Sequence, residues 1–113
     1  MHEVAIIQSA VDMAIDQARL AGATRVHLLR LRIGTLSGVV REALEFACEA
    51  VTQGTIVEGA RLEIDVIPAA CWCGSCHAEF ECDDFSSECP RCRTWSSELR
   101  RGREMELSSV EIS

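Results

Sequence analysis

The chain contains no Lys, Asn or Tyr, so all 11 of its basic residues are Arg. That bias hints at a GC-rich coding sequence and carries no mechanism. No run approaches the ~18 consecutive apolar residues of a membrane-crossing helix, which argues against a spanning segment. Met1-His2-Glu3 has neither the basic region nor the apolar stretch of a signal peptide. The expectation is a soluble, cytoplasmic protein. Positive charge is also short. The formal net charge is −7, and a polyanion needs a basic surface, so nucleic acid is not expected as the main partner. No internal repeat or low-complexity tract stands out. The 113 residues suffice for one domain, or for one domain with a small appendage.

Cysteine, by contrast, is plentiful: there are 7. An odd number in a reducing compartment points to metal binding rather than a disulfide framework. Cys73-Gly74-Ser75-Cys76 and Cys89-Pro90-Arg91-Cys92 form paired Cys-x-x-Cys motifs. Each pair can bite a metal from a tight turn, and the intervening loop can bring the pairs together into a tetrahedral zinc site. Gly74 and Pro90 suit turns that point backbone N–H groups at sulfur. A reducible dithiol pair is the blander reading, but it gives no reason for two motifs at this spacing. Cys71 and Cys82 stand near enough to compete as ligands, although Cys71-x-Cys73 suits a chelating turn less well. Cys48 reads as a small buried hydrophobe.

Periodicity organises the rest. Val4, Ile7, Val11, Ala14, Ile15 and Ala18 recur at helical spacing, predicting a helix over 3–21 that ends at Gly22. Residues 25–33 alternate as a strand, slipping at Leu28–Leu29, which predicts a bulge or burial on both sides. A second helix is expected over about 39–53, with Val40, Leu44, Ala47 and Val51 on one face and Phe46 widening it. Residues 60–67 alternate as a strand closed by Pro68. From Ala69 to about Gly102 no apolar period is sustained, so metal is the expected organiser. Met105, Leu107, Val110 and Ile112 read as a last strand, with a parity shift between Leu107 and Val110 that fits a bulge. A strand placed after the cysteine loop implies insertion: the chain leaves the sheet, folds around zinc, and returns.

The N-terminus is a second constellation. Met1, His2 and Glu3 place an amine, backbone amides, an imidazole and a carboxylate within three residues. Nickel(II) favours such nitrogen-rich sites. Each member also has an ordinary reading: His2 as a solvated terminal residue, Glu3 as an acid complementing a helix dipole. Cys73-Gly74-Ser75-Cys76-His77 matches the c-type haem attachment pattern. Haem would leave the second motif without a purpose, and no export signal precedes it. Arg91, Arg93, Arg100, Arg101 and Arg103 could meet an acidic partner, or could simply be a solvated loop in an acidic chain.

Together these residues resemble the HypA family of hydrogenase nickel-incorporation proteins. The likeness runs through Met1-His2-Glu3, then Val26-His27-Leu28-Leu29-Arg30-Leu31-Arg32-Ile33-Gly34, then Glu58-Gly59-Ala60-Arg61-Leu62. It continues through both cysteine motifs and Gly102-Arg103-Glu104-Met105-Glu106-Leu107. The resemblance implies an α+β fold: two helices packed on a small three-stranded sheet, with an inserted zinc-ribbon-like four-cysteine domain. The implied division is 1–68, completed by the strand 104–113, for the nickel-binding domain and 69–103 for the zinc domain. It implies Ni(II) as transient cargo on His2, with Glu3 and the Met1 amine or backbone as participants. Structural Zn(II) falls to Cys73, Cys76, Cys89 and Cys92. The implied partners are the nickel-handling GTPase HypB, the [NiFe] hydrogenase large-subunit precursor and, for some members, urease maturation proteins. No nucleic acid, no membrane and no enzyme activity are expected; the chain is a monomer or homodimer. The rival reading is a zinc-ribbon protein-interaction module without a nickel role.

Overall fold

In the computed structural model, residues 3–83 and 87–113 are described. The elements run α1 (Glu3–Leu20), β1 (Val26–Gly34), α2 (Arg41–Thr52), β2 (Arg61–Ile67), β3 (Ala70–Cys73), β4 (Ala78–Glu81), β5 (Leu99–Arg101) and β6 (Met105–Ile112). They form two three-stranded sheets, ordered β2-β1-β6 and β4-β3-β5. The architecture is the expected α+β arrangement of two helices on a small sheet with a cysteine-bearing unit attached. The second sheet was not expected, because strands of three and four residues leave no readable period.

In the first sheet β1 is central, parallel to β2 and antiparallel to β6. The chain crosses from β1 to β2 through α2, as parallel neighbours require. Leu29, Leu31 and Ile33 face the helices beside their register partners Leu62, Ile64, Leu107 and Val110. Against them α1 lays Ile7, Ala10, Val11, Ala14 and Ala18, all buried. Its alanines let α2 approach closely with Leu44, Ala47 and Cys48. Gly22 ends α1 as expected. It sits at φ 70, with Gly22 N–H donating to the Arg19 carbonyl and Ala23 N–H to that of Ala18, which is the Schellman pattern.

Both helix faces are rotated slightly from the reading above. Val4 is 60% exposed, and Ala10 is buried where Val4 was expected to contribute. Phe46 is 75% exposed and adds nothing to the core. At about 100° per residue it lies on the far side of α2 from Leu44, whereas Cys48, one turn on from Leu44, falls on the stripe. Val40 precedes α2 and is also exposed.

The expected irregularities are present. The β1–β6 register shifts between Val26 and Leu28 and between Arg30 and Leu31. Ser108 is the extra residue opposite the second shift, and its hydroxyl donates to the Arg30 carbonyl at 3.1 Å. Leu28 is buried outside the helix-facing core. The sheet face it occupies is otherwise charged: Arg30 pairs with Glu63 at 2.7 Å, and Arg32 with Glu106 at 2.8 Å.

The chain leaves this sheet at Pro68 and returns through Gly102. Thr35 N–H donates to the Ile67 carbonyl, Leu36 N–H to that of Gly102, and Ala69 N–H to the Thr35 hydroxyl. The molecule measures 54 × 26 × 16 Å with a radius of gyration of 17.4 Å. A compact chain of this length would have a radius near ~13 Å. The second sheet therefore projects from the first rather than packing over it.

Candidate metal centre

Cys73 ends β3, and Cys76 follows across the turn into β4. Cys76 N–H points at Cys73 Sγ, 3.4 Å away. The second motif is held similarly. Cys89 N–H donates to the Thr94 carbonyl, Arg93 N–H to that of Cys89, and Glu88 bridges to Trp95. The residue after each motif is left-handed: His77 at φ 50 and Arg93 at φ 62. Non-glycine residues take that conformation at a cost of about 1 kcal/mol, and here it turns the chain sharply behind each thiol pair.

The four sulfurs of Cys73, Cys76, Cys89 and Cys92 all lie within 4.8 Å of one another. Cys73 to Cys92 is 3.5 Å and Cys76 to Cys89 is 3.9 Å. Four thiolates about 2.3 Å from a tetrahedral zinc would be separated by about 3.8 Å, so the cluster has the size that ion requires. Cys73 and Cys89 are buried, Cys76 is partly covered and Cys92 is exposed. On a tetrahedral ion the four thiolates would occupy every position, leaving none for a substrate.

Charge in the cluster is graded. The Thr94 hydroxyl, with help from its backbone N–H, pulls the Cys92 thiol down to about 6. Backbone N–H groups, that of Cys92 first, also lower Cys89. Cys76 is pushed up to about 12, foremost by its hydrogen bond with Cys92 and then by Cys73. Without a cation, one thiolate forms readily and the last forms with difficulty. A divalent ion reverses that by supplying the missing positive charge.

Neighbouring side chains brace the unit. The Arg100 guanidinium lies 4.6 Å over the Trp72 ring, and His77 meets that ring edge-on. Trp72 N–H donates to the Glu98 carbonyl, and Ser96 donates to the Trp72 carbonyl. None of these contacts has a sequence signature, since residues 72 and 100 are brought together only by the β3–β5 pairing. Cys71 and Cys82 lie outside the quartet, with their sulfurs 2.9 Å apart. Burial, and then the Cys71 contact, pushes the Cys82 thiol up to about 11.

Met1 and His2 lie outside the described residues. Glu3 opens α1, and its Oε2 accepts the Val40 N–H at 3.1 Å. It therefore ties the start of the chain to the residue that precedes α2, a partner 37 residues away that sequence spacing does not reveal.

The fold and the cysteine cluster define a small α+β protein with a four-cysteine metal-binding group. The family described as Hydrogenase/urease nickel incorporation, metallochaperone, hypA matches residues 1–112. The chain is 45% identical to the hydrogenase maturation factor HypA of Picosynechococcus sp. over 112 residues, covering 99% of each. Against the factor of the same name from Roseiflexus sp. it is 41% identical, covering 98% of this chain and 91% of the relative. The chain belongs to the HypA family of nickel-incorporation metallochaperones, the hydrogenase maturation factors. Its fold resembles the solution structure of the Ni metallochaperone HypA from Helicobacter pylori, with a TM-score of 0.70 at 23% identity, covering 99% of this chain and 97% of that one. No helix among the described residues is long and apolar enough to cross a membrane.

Proposed function

We propose that this chain captures Ni(II) at its N-terminus and delivers it, with the partner GTPase HypB, to the [NiFe] hydrogenase large-subunit precursor in the cytoplasm. The family match over residues 1–112 carries this reading. The Met1 amine, a deprotonated backbone amide and the His2 imidazole can close small chelate rings on one nickel, with Glu3 as a further participant. Such ligands suit transfer, because a few nitrogens at a chain terminus bind and release more readily than a buried cage. The work is metal handover, not covalent catalysis.

Cys73, Cys76, Cys89 and Cys92 hold structural Zn(II) in this reading. The sulfur spacing and the closed coordination support it. Residues 1–68 with 104–113 form the nickel-handling domain, and 69–103 the inserted zinc domain. The two are joined where Thr35 and Leu36 hydrogen-bond to the chain on either side of the insertion. The same joint, with the Glu3–Val40 bond beyond it, is a route by which zinc-site geometry can influence nickel affinity.

A host lacking the chain tests the function at limiting nickel. Wild type should restore hydrogenase maturation. His2→Ala should not, and excess nickel should bypass the defect. Full maturation by His2→Ala at limiting nickel would contradict the proposal.

A further inference from the structure

Cys71 and Cys82 stand apart from the metal quartet and close to each other. Cys71 lies on β3, and Cys82 follows directly after β4, on the hairpin that carries Cys73 and Cys76. The register pairs Cys71 with Phe80, and Cys82 N–H donates to the Ala69 carbonyl at 3.1 Å. Cys82 is therefore the diagonal neighbour of Cys71 on the same face of the hairpin. Their sulfurs are 2.9 Å apart, against 3.5 Å for Cys73 and Cys92. That is shorter than the about 3.8 Å that two thiolates sharing a tetrahedral zinc would adopt. It is within about 1 Å of a covalent S–S bond. The spacing thus favours bond formation over a shared metal.

Access is unequal. Cys71 is 4% exposed, whereas Cys82 is partly open. Both line a cleft of about 220 Å³ beside Leu36, Ser96 and Ser97. A small oxidant entering that cleft meets Cys82 first, and Cys71 stands behind it as the resolving sulfur.

We propose that Cys71 and Cys82 are a redox-active dithiol that closes to a disulfide while the quartet keeps its metal. The oxidant class is a low-molecular-weight disulfide such as glutathione disulfide. Because burial holds the Cys82 thiol up to about 11, only a small fraction is thiolate at neutral pH, and the exchange quickens as pH rises. That thiolate attacks one sulfur of the oxidant, forming a mixed disulfide and expelling one glutathione thiolate. The Cys71 thiolate then attacks Cys82 Sγ and expels the second. The two protein thiols give up two protons and two electrons, and the oxidant becomes two glutathione thiols. The new bond encloses the turn bearing Cys73 and Cys76, so it staples that knuckle independently of metal and removes Cys71 as a competing ligand.

The test treats zinc-loaded, full-length wild type with excess glutathione disulfide. Remaining thiols are alkylated, peptides are mapped by mass spectrometry, and bound zinc is measured separately. The disulfide map is thereby read independently of the zinc assignment. The expected result is a Cys71–Cys82 linked peptide with zinc content unchanged, and no linkage in Cys82→Ser at the same zinc content. Three results would overturn the proposal: both residues recovered as alkylated thiols, a glutathione adduct on Cys82 that Cys71 never resolves, or disulfides confined to the quartet with zinc released.

Discussion

A Cβ placed on Gly34 would lie 2.1 Å from the carbonyl carbon of Gly102. The end of β1 therefore touches the returning chain backbone to backbone. Gly102, at φ +130, in turn leaves only 2.7 Å between its own missing Cβ and that of Ala69. Gly34, Gly102 and Ala69 are stacked where the chain leaves and re-enters the first sheet, and side chains there would push the projecting unit away.

Gly34→Ala should consequently destabilise the protein by about 1–3 kcal/mol, the range for overpacking a close contact, and Gly102→Ala at least as much because its φ adds strain. A Cβ on Gly74 would meet nothing within 4 Å, and the backbone there has no positive φ. Gly74→Ala should stay within about 0.5 kcal/mol of wild type. Denaturant midpoints of the zinc-loaded variants check the contrast.

Glu3 is expected to have a separable structural role. Its carboxylate satisfies the Val40 N–H, so Glu3→Ala should cost about 1 kcal/mol. Glu3→Gln, which keeps a carbonyl acceptor, should cost less. Thermal unfolding without nickel measures that role alone, and nickel titration of the same variants measures any ligand role.

The charged sheet face gives a pH dependence. The hydrogen bond from Arg30 holds the Glu63 carboxyl below its usual range. The folded-state value thus lies below the unfolded one of about 4.3. The pair's contribution is present above that value and is lost as pH falls through the folded-state one. The stability gap between wild type and Arg30→Met should be constant near neutral pH and close in acid. A gap that does not change with pH would remove the pair as its cause.

Thr94 should control the first ionisation of the metal-free quartet. With its hydroxyl removed in Thr94→Val, the Cys92 thiol should rise from about 6. Thiolate ultraviolet absorbance against pH in apo protein reads that shift directly. A titration curve identical to that of wild type would contradict the assignment.

Much of this molecule was legible from residue spacing. The Cys-x-x-Cys motifs announced the quartet, Gly22 the end of α1, and the slip at Leu28–Leu29 the burial of β1 on both faces. The parity shift between Leu107 and Val110 announced the extra residue Ser108. The limits have physical reasons. Phe46 was misplaced because its apolar side chain was weighed above its position: at about 100° per residue it falls opposite the Leu44, Ala47 and Cys48 stripe. The strands β3, β4 and β5 are too short to show alternation, and turns and cross-strand contacts organise them. The Cys71–Cys82 and Glu3–Val40 pairings exist only once the chain is folded, since neither follows from a local repeat.

Nickel capture at the N-terminus is decided by titrating nickel into the untagged, zinc-loaded protein beside His2→Ala. Any extension before Met1 would block the terminal amine and must be absent. Wild type should take up equimolar nickel, His2→Ala should lose it, and zinc should be unchanged in both. Equal nickel binding by the two proteins would contradict an N-terminal site.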